Sequence, residues 1–96
     1  MKRVVIHERL FAELPEVILE CDLTIEVEFN AVHVEVRSLW TPIVTVTDCL
    51  RTVARAPLPA DMEAIAEWIE ERSPVWLFEL LDKHGHRAPR ETPLVF

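Results

Sequence analysis

The chain has 96 residues, half of them hydrophobic, 28% charged and only one glycine, with a formal net charge of −7. This is the balance of an ordered globular protein and excludes a disordered tail; at this length one core forms, burying roughly two thirds of the surface the unfolded chain exposes. So acidic a surface repels a phosphate backbone, so direct nucleic-acid binding is not expected.

In chain order, Arg3 to His7 reads as a short β-rich run. The next stretch, ERLFAELPE, is read as a brief helical turn ended by Pro15, with Leu10, Phe11 and Leu14 inward, in preference to an extended link. From Val17 to Phe29 every odd position is apolar and, after Ile18, every even position is polar, the clearest period-two pattern in the chain. Such a strand would run roughly 40 Å at about 3.3 Å per residue. A bend, a bulge or a change of partner is therefore expected near Cys21 and Asp22.

At Asn30-Ala31 the apolar parity changes from odd to even, as a hairpin with one buried face requires. The preferred two-residue turn predicts Val27 opposite Val34 and, on the polar side, Glu26 opposite Glu35. A four-residue loop would instead set Glu26 across from Arg37 and leave Val32 in the loop. Trp40-Thr41-Pro42 interrupts the sheet, and Ile43 to Thr47 resumes it as the third strand of a meander. Residues 48–55 have two readings, a short helix capped by Asp48 or an edge strand in which Leu50, Thr52 and Ala54 alternate.

APLP at 56–59 is a rigid connector. Asp61 to Arg72 predicts an amphipathic helix with Met62, Ile65, Ala66 and Ile69 inward. Ser73 is placed as the N-cap of a second helix, with Pro74 as its first residue and Gly85 as its left-handed terminator. The expected architecture is a single α+β domain: a small antiparallel meander of three to four strands with two or three C-terminal helices packed on one face. Its sheet half covers about 1–56, its helical half about 60–85, and an extended tail 86–96.

Charge is unevenly spread. Between Leu10 and Val36 stand Glu13, Glu16, Glu20, Asp22, Glu26, Glu28 and Glu35 without a lysine or arginine among them. Interspersed signs would avoid self-repulsion, so this block exceeds what solubility asks for. The expected function is therefore a small acidic, non-enzymatic protein-binding domain, an inhibitor or regulator that occupies a basic surface of a partner protein. A sharper version has its carboxylates standing in for phosphates on a nucleic-acid-binding surface. The residues assigned to partner binding are Glu20, Asp22, Glu26, Glu28 and Glu35, with Trp40 and Trp68 as aromatic anchors.

An alternative is a homo-oligomeric structural or accessory subunit, a homodimer for example, joined through Trp76, Phe78 and the C-terminal LVF. A second alternative is a small enzyme or metal-binding protein using His84 and His86. No catalytic residue, metal ligand or cofactor is assigned, because the chain has no nucleophile and base constellation, no glycine-rich loop and no closed ligand set. No apolar run is long enough to span a membrane, and MKRVVIHERLF lacks the apolar stretch of a secretory signal, so a cytoplasmic location is expected. Cys21 and Cys49 are too few for a disulfide framework, and Cys21 falls on the apolar side of its strand.

Overall fold

The computed structural model describes residues 1–86. Strands β1 (Lys2–Glu13) and β2 (Ile18–Phe29) form a long hairpin, in unbroken antiparallel register from Lys2 opposite Phe29 to Glu13 opposite Ile18. On the other side of β2 lie β3 (Val34–Trp40) and β4 (Val44–Thr47), both antiparallel to it, and β5 (Thr52–Arg55) pairs antiparallel with β4. Two helices, α1 (Pro59–Arg72) and α2 (Val75–Lys83), cover one face of this five-stranded sheet.

The stretch ERLFAE belongs to β1 and not to a helical turn. Its leucine, alanine, arginine and glutamates are good helix formers, but intrinsic preference is small per residue and yields to tertiary context, and pairing with β2 buries Leu10 and Ala12 beside Cys21 and Leu19. Phe11 consequently points to the opposite, open face and is 51% exposed, where the helical reading had it inward.

β2 keeps the expected alternation, with Leu19, Cys21, Leu23, Ile25, Val27 and Phe29 all buried. Its change of partner falls where the length of the pattern demanded one: Ile18 to Cys21 pair with β4, and Thr24 to Phe29 pair with β3. The third strand of a meander would have paired with β3. Instead β4 follows β3 end to end along the same edge of β2. Two irregularities make this fit: Arg37 is an extra residue between the pairs Val27 with Val36 and Glu26 with Ser38. A second is absorbed between Trp40, opposite Thr24, and Val44, opposite Cys21. In that link the buried Thr41 donates its hydroxyl to the Ile43 carbonyl at 3.0 Å.

With one glycine in the chain, the hairpin loops are shaped by side chains. Residues 30–33 form a four-residue loop, not a two-residue turn, because Asn30 Oδ1 accepts the backbone N–H groups of Val32 (2.9 Å) and His33 (2.8 Å). Asn30 N–H closes the loop on the His33 carbonyl at 2.9 Å. Residues 48–51 repeat the device: Asp48 Oδ1 accepts from Leu50 (2.8 Å) and Arg51 (2.9 Å), and Asp48 N–H bonds the Arg51 carbonyl. Of the two readings of 48–55, the edge strand is the one adopted, and Asp48 caps a turn.

Arg55 at the end of β5 is tied to the start of α1. Its Nη2 lies 2.8 Å and its Nε 3.3 Å from the carboxylate of Asp61, which is only 7% exposed and also accepts the Leu58 N–H at 2.8 Å. Ser73 is not the N-cap of α2: its hydroxyl donates to the Ile69 carbonyl at 2.7 Å and its N–H to Glu70, so it closes α1, and Pro74 takes the capping place of α2. Gly85 adopts the expected positive φ of 81°. Ile65 and Ile69 from α1 join Leu77, Leu80 and Leu81 from α2 in one core with the inner face of the sheet, while Ala66 is exposed. The expected tail falls, from residue 87, outside the described residues.

Candidate partner-binding face

The helices leave the other face of the sheet open. Period two sends every second side chain there: Arg3, Val5, His7, Arg9, Phe11 and Glu13 from β1, and Glu20, Asp22, Thr24, Glu26 and Glu28 from β2. β3 adds Glu35, Arg37, Ser38 and Trp40. The structure thus gathers Glu20, Asp22, Glu26, Glu28, Glu35 and Trp40 on one surface. Trp40 stands across from Thr24 and is 60% exposed.

Trp68 is elsewhere. It lies on α1 in the helical layer, where its ring meets Trp76 edge-on at 5.7 Å and carries the Arg72 guanidinium 4.1 Å from its centroid. Three groups that stabilise one another locally account for its position, and it does not share a surface with Trp40.

The face is an ion-pair lattice rather than a field of carboxylates. Arg3 Nη2 bonds Glu28 at 3.1 Å, with its Nε 3.7 Å from Glu26. Arg9 reaches both Glu20 and Asp22 at 3.1 Å. Arg37 bonds Glu35 at 3.1 Å and lies 3.8 Å from Glu28. Ser38 donates to Glu26, His7 Nδ1 lies 3.0 Å from the Thr24 hydroxyl, and His33 is 3.6 Å from Glu35. The bonds from Arg37 and then His33 hold the Glu35 carboxyl below its usual range, and the bond to Glu28 holds Arg3 still more firmly protonated.

Arg37 is expected on this side from the sequence, across from Glu26 if the loop has four residues, but sequence reasoning missed Arg3 and Arg9, which lie outside the acidic block in the chain and interleave with it in space. The signal that finds them is parity. Once residues 2–13 are read as one strand, Arg3 and Arg9 fall on the same side as Val5 and Phe11, opposite the buried Ile6 and Leu10.

The remaining candidate groups are engaged apart from this face. Glu8, on the inner side of β1, bonds Lys83 Nζ at 2.8 Å and His84 Nε2 at 3.2 Å; burial alone would raise its carboxyl, but these bonds leave it lowered. His86 lies against the Phe29 ring, away from His84's partner. Among the described residues no three His, Cys, Asp or Glu side chains form a group able to hold a metal ion. Cys21 and Cys49 are both free, the first buried, with its thiol pushed up chiefly by that burial, the second exposed in the 48–51 loop. An open groove of about 450 Å³ runs between β3 and α1, its apolar lining made by Val34, Val36, Leu39, Ala66, Ile69 and Leu77. No helix among the described residues is long and apolar enough to cross a membrane.

Fold and site together define a small α+β domain with helices on one face of an antiparallel sheet and a charged, aromatic-bearing face left open. No family model, curated protein or solved structure matches this chain.

Proposed function

We propose that this is a small non-enzymatic protein-binding domain, an inhibitor or regulator, that meets a basic patch on a partner protein through the open face of its sheet. The observation carrying this reading is Trp40, a large apolar side chain 60% exposed on a face that no helix covers, next to the carboxylates of Asp22 and Glu26 on β2. An exposed tryptophan supplies buried area and one hydrogen-bond donor on binding, and the surrounding acids steer and orient a basic partner.

Six carboxylates on this face, Glu13 and the five in the ion-pair lattice, stand against three guanidinium groups, so a negative surplus survives the internal pairing. Arginines set between the acids do not resemble a run of phosphates. That lends more support to recognition of a folded basic surface than to mimicry of a nucleic acid. A cytoplasmic location suits the free, exposed thiol of Cys49.

The test is capture from the native host with the wild-type chain, a Trp40→Ala variant and a Glu20→Lys, Asp22→Lys, Glu26→Lys variant, each checked for native circular dichroism. One basic protein should be retained by wild type, lost by both variants and released as salt rises. Equal retention by all three chains overturns the reading.

A further inference from the structure

β1 is an edge strand with twelve residues. Among the described residues its one strand neighbour is β2, and no loop or helix backbone bonds its free side. The Leu14 N–H bonds the Val17 carbonyl at the hairpin end, which makes 14 and 17 a hydrogen-bonded pair. Alternation from that pair turns the even residues of β1 toward β2. The N–H and C=O groups of Arg3, Val5, His7, Arg9, Phe11 and Glu13 therefore point outward along about 34 Å of open edge.

Soluble proteins blunt such an edge with proline, a bulge, shortness or an inward charge. β1 has no proline and an unbroken register. Its inward charge, Glu8, is matched by Lys83 at the end of α2 and by His84, the next residue.

We infer that the free edge of β1 pairs antiparallel with the same edge of a second copy of this chain, with Glu8 on the two-fold axis. The two five-stranded sheets then become one continuous sheet. This goes beyond the binding role proposed for the open face, since it uses the backbone edge of β1, at the margin of that face, and a second copy of the chain.

The argument is self-complementarity about residue 8. Three positions to either side stand Val5 and Phe11, both outward, 57% and 51% exposed and left uncovered by the monomer. Five positions to either side stand Arg3 and Glu13, of opposite charge. Antiparallel pairing centred on Glu8 therefore sets Val5 against Phe11 of the second copy and Arg3 against Glu13, and it does so at both ends by symmetry. The same pairs are those whose backbone groups point outward, as in any register centred on a residue of the strand, so the hydrogen-bond ladder allows this register and the side-chain match selects it.

Neighbouring registers match less well, on charge or on polarity. Centring on Ile6 brings Arg3 against Arg9, centring on His7 sets Ile6 against Glu8, and centring on Arg9 sets that arginine against its own copy. In the favoured register His7 faces Arg9 of the second copy, whose guanidinium is already paired with Glu20 and Asp22, and the two Glu8 side chains meet at the axis, each with its own Lys83 at 2.8 Å and His84 at 3.2 Å, so the cluster is not a bare like-charge pair.

Sedimentation velocity of the full chain at micromolar concentration should give a dimer. Val5→Cys with Phe11→Cys, in a Cys49→Ser background, should oxidise to a covalent dimer, because the two positions lie about 20 Å apart on one strand and cannot join within a copy. Val5→Cys with Arg9→Cys, matched to the register centred on His7, should not. Glu13→Arg, which places arginine against Arg3, should weaken the dimer at least about tenfold, one decade being 1.4 kcal/mol. Val5→Pro removes an outward N–H that bonds nothing in the monomer, so the variant should keep its circular dichroism and be monomeric.

A strict monomer at tens of micromolar overturns the inference. So does a dimer that resists Glu13→Arg and cross-links only through another surface, the β3 edge or Trp76 and Phe78. A monomer that still binds a basic partner through Trp40 would sink the dimer and leave the proposed function standing.

Discussion

Glu28 of β2 stands directly opposite Glu35 of β3, and the two carboxylates share Arg37, whose Nη1 is 3.1 Å from Glu35 and whose Nε is 3.8 Å from Glu28. Arg37 is also the extra residue that creates the bulge in β3. The like-charge confrontation expected of Glu26 with Glu35 thus falls on Glu28. The bulge then carries Glu26 on to Ser38, and the guanidinium stays beside the acids that need it.

Arg37→Ala should therefore destabilise the protein more than Glu35→Ala, because it leaves two acids facing each other across a strand pair. Arg37→Ala combined with Glu35→Ala should recover part of the loss. The difference should shrink in about 1 M salt, where the Debye length is about 3 Å. Thermal melts of the three variants at low and high salt measure it; a double variant no more stable than Arg37→Ala counts against the account.

Asp61 makes acid sensitivity predictable. Burial raises its carboxyl, but the bonds from Arg55 and the Leu58 N–H outweigh this and leave it below the ordinary aspartate range. A group with a depressed folded pKa contributes stability that is complete above its unfolded pKa, near 4, and is lost as pH falls through the folded value. Asp61→Asn should cost about 1–3 kcal/mol at neutral pH. The variant should also lose less stability than wild type on acidification from about pH 5 to pH 3. Urea unfolding across that range checks both, and parallel pH curves for the two proteins contradict the assignment.

Asn30 should be hard to replace. Its side-chain oxygen takes two loop N–H groups, so Asn30→Ala should destabilise by about 1 kcal/mol, while Asn30→Asp, which keeps the acceptor, should cost less. Denaturant midpoints rank the three proteins. Equal midpoints for alanine and aspartate would show that the loop does not depend on this acceptor.

Two leucines separate burial from hydrophobicity. Leu23→Ala at the fully buried centre of β2 should cost about 2–5 kcal/mol. Leu50→Ala, 86% exposed in the 48–51 loop, should change stability by no more than about 0.5 kcal/mol. Paired unfolding curves test the contrast, and a large loss at Leu50 would mean that the loop is covered in solution.

The alternation of Leu19, Cys21, Leu23, Ile25, Val27 and Phe29 with polar residues determined by itself that β2 is a strand and which of its sides is buried, because the two-residue side-chain period is a local property of extended chain. The spacing of Ile65 and Ile69 did the same for α1, and Gly85 marked where α2 ends. Only the tertiary structure decided that ERLFAE is strand, since weak local preferences there yield to pairing with β2. It also placed β3 and β4 end to end beside β2, an arrangement that rests on hydrogen bonds between residues far apart in the chain. The same pairing brought Arg3, Arg9 and Arg37 among the carboxylates. Charges segregated along a chain are remixed when antiparallel strands meet, so the acidic block legible in the sequence becomes a lattice of ion pairs in space.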